Sequence, residues 1–256
     1  MDVPILAYHK VSNKLEWGIN SVPIKSFQNQ IEYLYYNNYF SISLLDFINN
    51  THKFFNNRKP VIITFDDADG SVYENAFPIL KKYGFTASLF IISNYVGKKN
   101  TWDVNLGGMY SQHLGWDQIL HLSNEGWEVG SHTANHPDLL KLSSCEVLSE
   151  LQLSREKISI KIDQPVNFIS YPFNRFDKRI VSLVKQSGYL GGCALFVNRK
   201  RTGFSEKFKM KRYGVYSIDG INSIKQKLKD SPYEHLKQGV ISFCSRGTIW
   251  YNRLRN

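Results

Sequence analysis

Cysteine is scarce in this chain: Cys145, Cys193 and Cys244 are the only three among 256 residues, and no two form a Cys-x-x-Cys pair. The odd count and the spacing argue against a disulfide framework and a cysteine zinc site. Long apolar runs are absent too. No window reaches the roughly 20 residues a membrane-spanning helix needs, and Met1 to Leu6 lacks the basic start and long apolar core of an export signal. The chain is therefore expected to be cytoplasmic, with peripheral contact to an inner or other anionic membrane surface, or exported with its signal removed. Low-complexity tracts and internal repeats are also missing, which argues against solenoid and disordered classes. Acidic residues are in deficit, 22 Asp+Glu against 32 Lys+Arg, for a formal charge of +10. That balance favours acidic partners such as a phosphorylated glycan, an anionic membrane surface or nucleic acid, and does not choose among them. The densest basic run, Asn198 to Arg212, reads as a solvated loop, with a dedicated polyanion site as the alternative.

What is present is enough apolar residue, 42% of the chain, to bury one large core. The central stretch is Val61-Ile62-Ile63-Thr64-Phe65-Asp66-Asp67, a buried-strand pattern that stops on two adjacent carboxylates. Buried side by side, such a pair needs a cation, a shared proton or open water. Further strands are expected at Val3 to Tyr8, Thr86 to Ile92, Trp127 to Gly130, Asn167 to Tyr171, Tyr189 to Phe196, Tyr213 to Tyr216 and Val240 to Phe243. Helices are expected from Ser26 as cap, over Leu44 to Ile48, Val72 to Tyr83, Trp116 to Glu125, Ser143 to Ile160, Ile180 to Gln186 and Ile221 to Leu228. Strands and helices alternate about seven times without a break in composition. This predicts a single α/β domain over residues 1–256, a distorted (β/α)7-type barrel with its chemistry at the C-terminal ends of the strands. The residues at those ends are His9, Asp66, Asp67, His132, His136 and Phe173.

His132-Thr133-Ala134-Asn135-His136 supplies two imidazoles from one local turn, and one acid of Asp66-Asp67 completes a facial set of three for a divalent metal. His9, alone at a strand end, reads either as structural or as functional. The stretch from Ser93 to Gly115 is long for a plain connection and rich in Gly, Asn and aromatics, which marks a functional loop.

Thr64-Phe65-Asp66-Asp67, His132-Thr133-Ala134-Asn135-His136 and Tyr171-Pro172-Phe173 together resemble the first three motifs of the polysaccharide deacetylases, carbohydrate esterase family four. The resemblance runs over roughly residues 3 to 215. It implies hydrolysis of N-acetyl, less often O-acetyl, groups on hexosamine-containing glycans. Carried over residue by residue, it assigns Asp67, His132 and His136 to a divalent metal, Zn2+ first with Co2+ or Ni2+ as alternatives. It makes Asp66 the general base and puts an oxyanion-binding backbone N–H at Phe173. Relatives often take their general acid from a C-terminal Leu-x-x-His. Here that spacing occurs in Leu6-Ala7-Tyr8-His9, similar to the poly-N-acetylglucosamine deacetylase branch, which implies His9 as general acid.

The family pattern is broken in three places. Ala68 replaces a usual glycine, Asp69 stands where an aromatic is common and reads as a turn residue, and Ser170 replaces an arginine that tethers the base. Arg212 is the expected substitute for that charge. Trp102, Asp103 and Tyr171 are candidate substrate contacts, whereas Trp116 reads as core. The substrate expected is an N-acetylated glycan or a lipid-linked glycan precursor. An O-acetyl esterase and a carbohydrate-binding pseudoenzyme are the competing readings, and no nucleic-acid partner is expected.

Overall fold

The structure is a computed structural model that describes residues 3–14, 18–50, 58–101, 110–195 and 206–244. Its centre is a ring of parallel strands: β1 (Ile5–Tyr8), β5 (Lys59–Phe65), β6 (Ser88–Ile91), β7 (Glu128–Ser131), β8 (Phe168–Ser170), β9 (Gly191–Leu195) and β10 (Met210–Gly214). They pair in the order β1-β10-β9-β8-β7-β6-β5, and β5 pairs back onto β1 with Ile5 opposite Ile62 and Tyr8 opposite Phe65. The described strands thus form a closed seven-stranded barrel. Two short strands, β2 (Lys10–Val11) and β3 (Ser21–Val22), pair above it, and β4 (Tyr39–Ser41) pairs with the N-terminal half of β5.

Helices α1 (Ile24–Tyr36), α2 (Leu44–Ile48), α3 (Phe77–Lys82), α4 (Trp116–Asn124), α5 (Ser144–Ile162), α6 (Lys178–Gln186), α7 (Ile221–Leu228) and α8 (Pro232–Cys244) complete the described fold. The strands' period of two puts alternate residues inside and outside the ring. Outward residues such as Leu6, Ile63 and Phe65 join the core beneath the helices, whereas Ile5, Ile62, Phe90, Phe168, Cys193 and Met210 form a separate apolar cluster that fills the barrel floor. Gly130 is required there, because a Cβ would stand 2.6 Å from the Phe90 ring and 3.0 Å from the Phe168 carbonyl. One turn higher the inward positions turn polar, to Thr64, Asp66, Ser170 and Arg212. None of the described helices is long and apolar enough to cross a membrane.

Several local expectations are corrected. Val240 to Phe243 is helical, part of α8, with Val240 56% exposed. A short apolar run is ambiguous between strand and helix, and β1 already occupies the free edge of β10. What seats α8 is polar: buried Gln238 donates to the Gly214 carbonyl at 2.8 Å, and Glu234 pairs with buried Lys227. Val72 to Tyr83 is not one regular helix. Val72–Ala76 forms a π-helical turn in which the Phe77 N–H reaches back to the Val72 carbonyl, and α3 follows. Pro78, with no N–H, cannot make the next regular helical bond. Helix α1 begins at Ile24 rather than at a Ser26 cap, and the Asn13 side chain accepts the Ile24 N–H at 3.0 Å. The basic run also divides. Residues 196–205 lie outside the described ones, and Arg212 is inside the barrel at 1% exposure, the opposite of a solvated loop.

Candidate active site

The end of β5 carries Asp66 into the barrel mouth, 3% exposed. Both its oxygens are taken by one guanidinium: Arg212 donates from Nη1 to Oδ1 and from Nη2 to Oδ2, each at 2.7 Å. The same two nitrogens donate to Thr64 Oγ1 at 3.0 Å and Ser170 Oγ at 2.7 Å, and the Ser170 hydroxyl donates to Asp66 Oδ2 at 3.1 Å. Burial alone would raise the Asp66 carboxyl, but the Arg212 charge outweighs it and holds the group well below the usual carboxylate range. Asp66 is therefore an ionised, oriented carboxylate at neutral pH.

Asp67 turns out of the strand into left-handed backbone, φ 68°, and Ala68 follows at φ 53°. The turn puts the Asp67 carboxylate opposite the two histidines of the loop after β7. His132 Nε2 and His136 Nε2 are 3.2 Å apart and lie 3.5 and 3.9 Å from Asp67 Oδ1. His132 Nδ1 lies 2.7 Å from the Ser170 carbonyl, which can only accept, so the proton is on Nδ1 and the Nε2 lone pair faces Asp67. Burial lowers both histidine pKa values, that of His136 strongly, and each imidazole is neutral.

A cation holding ligands tetrahedrally at 2.0–2.1 Å separates them by about 3.3 Å. Two neutral imidazole nitrogens and a carboxylate oxygen, all buried and at close to that spacing, fit a divalent metal. They fit poorly as a set of hydrogen bonds.

The His132–His136 loop is built by side chains the sequence did not single out. Glu150 of α5 accepts the Ala134 and Asn135 N–H groups at 3.0 and 2.9 Å and the Asn135 amide at 2.6 Å. Thr133 Oγ1 accepts the His136 N–H at 3.0 Å. Six of the ten described non-glycine residues with positive φ are Asp67, Ala68, Thr133, His136, Phe173 and Asn174, all at the site. At about 1–2 kcal/mol each, that clustering marks a place where geometry outweighs stability.

The other expected residues fall as follows. His9, half-buried between β1 and β2, is near enough for its charge to be felt at both Asp66 and His136. Phe173 (φ 54°, ψ 15°) follows β8, and its ring meets that of His136 at 4.5 Å. Tyr171 does not line the cleft: it is 2% exposed, stacked on Phe176, and its hydroxyl donates to the Phe208 carbonyl at 2.9 Å. A sugar cannot reach a ring enclosed in that wall. Trp102 and Asp103 lie outside the described residues, and Trp116 packs against the outer core. Asp69 is a turn residue, its Oδ1 accepting the Ser71 N–H at 2.9 Å.

Residues 55–192 match the polysaccharide deacetylase family. This chain is a polysaccharide deacetylase family member. The homologue YxkH of Bacillus subtilis is 30% identical over 193 residues, covering 74% of this chain and 63% of its own length. A poly-beta-1,6-N-acetyl-D-glucosamine N-deacetylase of Staphylococcus aureus is 27% identical over 184 residues, 68% of this chain and 61% of its own. The chain thus spans less than two thirds of the length of either relative. In fold it is similar to the Streptococcus pyogenes deacetylase PplD, solved in complex with acetate, with a TM-score of 0.74, 21% identity and coverage of 88% of this chain and 97% of that one. Among polysaccharide deacetylases a glycine usually follows the acid pair, and the left-handed backbone at Ala68 is the physical reason glycine suits that position.

Proposed function

We propose that this chain is a metal-dependent hydrolase that removes the N-acetyl group from an N-acetylhexosamine of a glycan or lipid-linked glycan precursor. The observation that carries the reading is an ionised, doubly held carboxylate, Asp66, beside a buried Asp67–His132–His136 donor set. Asp67, His132 and His136 would hold the divalent cation, Zn2+ by donor preference with Co2+ or Ni2+ able to substitute. Bound there, the cation would polarise the acetyl carbonyl and acidify water.

The protein's own groups supply the rest. Asp66 takes a proton from the attacking water, because Arg212 keeps it ionised and Ser170 keeps it oriented. The backbone N–H of Phe173 donates to the oxyanion that forms as the carbonyl becomes tetrahedral. His9 delivers a proton to the departing nitrogen when the C–N bond breaks, so that acetate and a free amine leave. The name of the Staphylococcus aureus relative supports an N-acetyl rather than an O-acetyl substrate. The complete set of base, ligands and acid weighs against a pseudoenzyme.

The test is acetate release from a panel of N- and O-acetylated glycans by metal-loaded protein, comparing the parent with Asp66→Asn. Release that falls at least a hundredfold in the variant is expected. Equal release from both would sink the mechanism.

A further inference from the structure

Asp67 sits in left-handed backbone and the next residue, Ala68, does too, although a Cβ makes that conformation unfavourable. The bracing comes from the segment before α4. Leu114 N–H donates to the Ala68 carbonyl at 2.8 Å, and Gly70 N–H donates to the Gln112 carbonyl at 2.7 Å. Between them His113 Nδ1 stands 2.6 Å from the Asp67 backbone carbonyl. A carbonyl offers no proton, so this contact requires the proton on Nδ1, with His113 as the donor. His113 is 4% exposed, and its own backbone N–H donates to the Lys98 carbonyl at 2.9 Å, so the imidazole is anchored before it reaches Asp67.

We propose that His113 is a positioning residue for the metal site: its Nδ1–H clamps the Asp67 carbonyl and so fixes the left-handed turn that aims the Asp67 carboxylate at His132 and His136. The inference rests on the reading of Asp67, His132 and His136 as metal ligands. In this chain the clamp does what a glycine after the acid pair does by conformational freedom. The long segment between β6 and α4 then serves the metal centre itself, through Gln112, His113 and Leu114, besides any contact it makes with sugar. Groups that hold a ligand in place typically change metal affinity by about 10–100-fold when removed.

Two variants separate the hydrogen bond from the bulk. In His113→Asn the amide Nδ2–H can stand close to where Nδ1–H stood, whereas His113→Phe keeps a ring and loses the donor. Zn2+ affinity, read by competition with a chromophoric chelator on the folded protein, is expected to fall about 10–100-fold in His113→Phe and to stay within about threefold of the parent in His113→Asn. Adding Ala68→Gly to His113→Phe should recover a large part of that loss, while Ala68→Gly alone changes little. The recovery also makes the double variant usable if His113→Phe folds poorly.

Unchanged affinity in His113→Phe, or equal losses in the Phe and Asn variants, would overturn the clamp while leaving the metal site standing. A parent whose Zn2+ affinity matches that of Asp67→Asn would overturn both the site and the clamp.

Discussion

Arg212 and Asp66 come from strands 146 residues apart in sequence and meet as a two-pronged pair, with both Nη–Oδ distances at 2.7 Å. The guanidinium is buried over the Phe90 ring, 5.3 Å from its centroid, at the level where the barrel interior changes from apolar to polar. Its position lets a carboxylate be fully enclosed and still ionised.

Removing that charge should alter both catalysis and stability. In Arg212→Ala, burial acts on Asp66 without its counter-charge, so the acid limb of the kcat/KM profile should move to higher pH. The parent's Asp66 pKa is depressed, so the pair stabilises the fold above about pH 4 and that contribution fades as pH falls through the folded-state value. The variant's stability deficit, about 3–5 kcal/mol for a broken buried pair, should therefore be largest near neutrality and shrink on acidification. Urea unfolding across pH 3–8 and a pH–rate profile check both. An acid limb that does not move would remove Arg212 from its assigned role.

His9 is separable from the base by choice of leaving group. An amine must be protonated to depart, whereas a nitrophenolate need not be. His9→Ala should lower acetamide hydrolysis by about 10²–10⁴-fold and leave hydrolysis of 4-nitrophenyl acetate within a few-fold of the parent. Equal losses on both substrates would mean that His9 shapes the site rather than donating a proton.

Glu150 lies outside the chemistry but holds the loop that presents both histidines, through three hydrogen bonds. Glu150→Ala leaves the N–H of buried Ala134 without its acceptor, at about 1–3 kcal/mol, while the N–H of exposed Asn135 can turn to water. The expected result is a lower Tm and weaker Zn2+ binding, with the acid limb of the pH profile in place because Asp66 is untouched. A variant with the parent's metal affinity would show that the loop holds itself.

Metal removal supplies a stability readout independent of substrate. A ligand that binds only the native state raises stability by RT ln(1 + [L]/Kd), about 2.7 kcal/mol at a hundredfold excess over Kd. Chelation should lower the parent's Tm and abolish deacetylation, and Zn2+ should restore both. Asp67→Asn should show no metal-dependent shift in Tm. A Tm indifferent to chelator and Zn2+ in the parent would count against the assigned ligand set.

Gly130 tests the barrel floor. A methyl group there meets the Phe90 ring at 2.6 Å, and Arg212 lies over the same ring. Gly130→Ala is expected to cost about 1–3 kcal/mol by overpacking, measured by urea unfolding. A variant as stable as the parent would show that the floor has room to spare.

Much of the site could be read in the sequence because its parts are local. Asp66-Asp67 ends a β-branched run, and a strand's period of two turns that ending into a direction. The spacing of His132 and His136 confines them to a single turn. Both kinds of information survive without knowledge of the fold, and so does the alternation of strand and helix that implies a barrel.

What the sequence could not decide was anything set by closure of the ring. Pairing of β1 with both β5 and β10 leaves no edge for Val240 to Phe243, which became helix. Enclosure by Phe176 and the Phe208 carbonyl took Tyr171 out of the cleft. Glu150 and His113 act through backbone groups on other elements, and a side chain that bonds a distant amide or carbonyl leaves no motif around itself. The sequence by itself determined which acids and imidazoles were available and how each would be presented. Through the family resemblance it also pointed to Arg212 as the partner of Asp66. The tertiary structure decided the other partners, among them Glu150 and His113, because partnership depends on which strands close the barrel and not on how far apart residues lie in the chain.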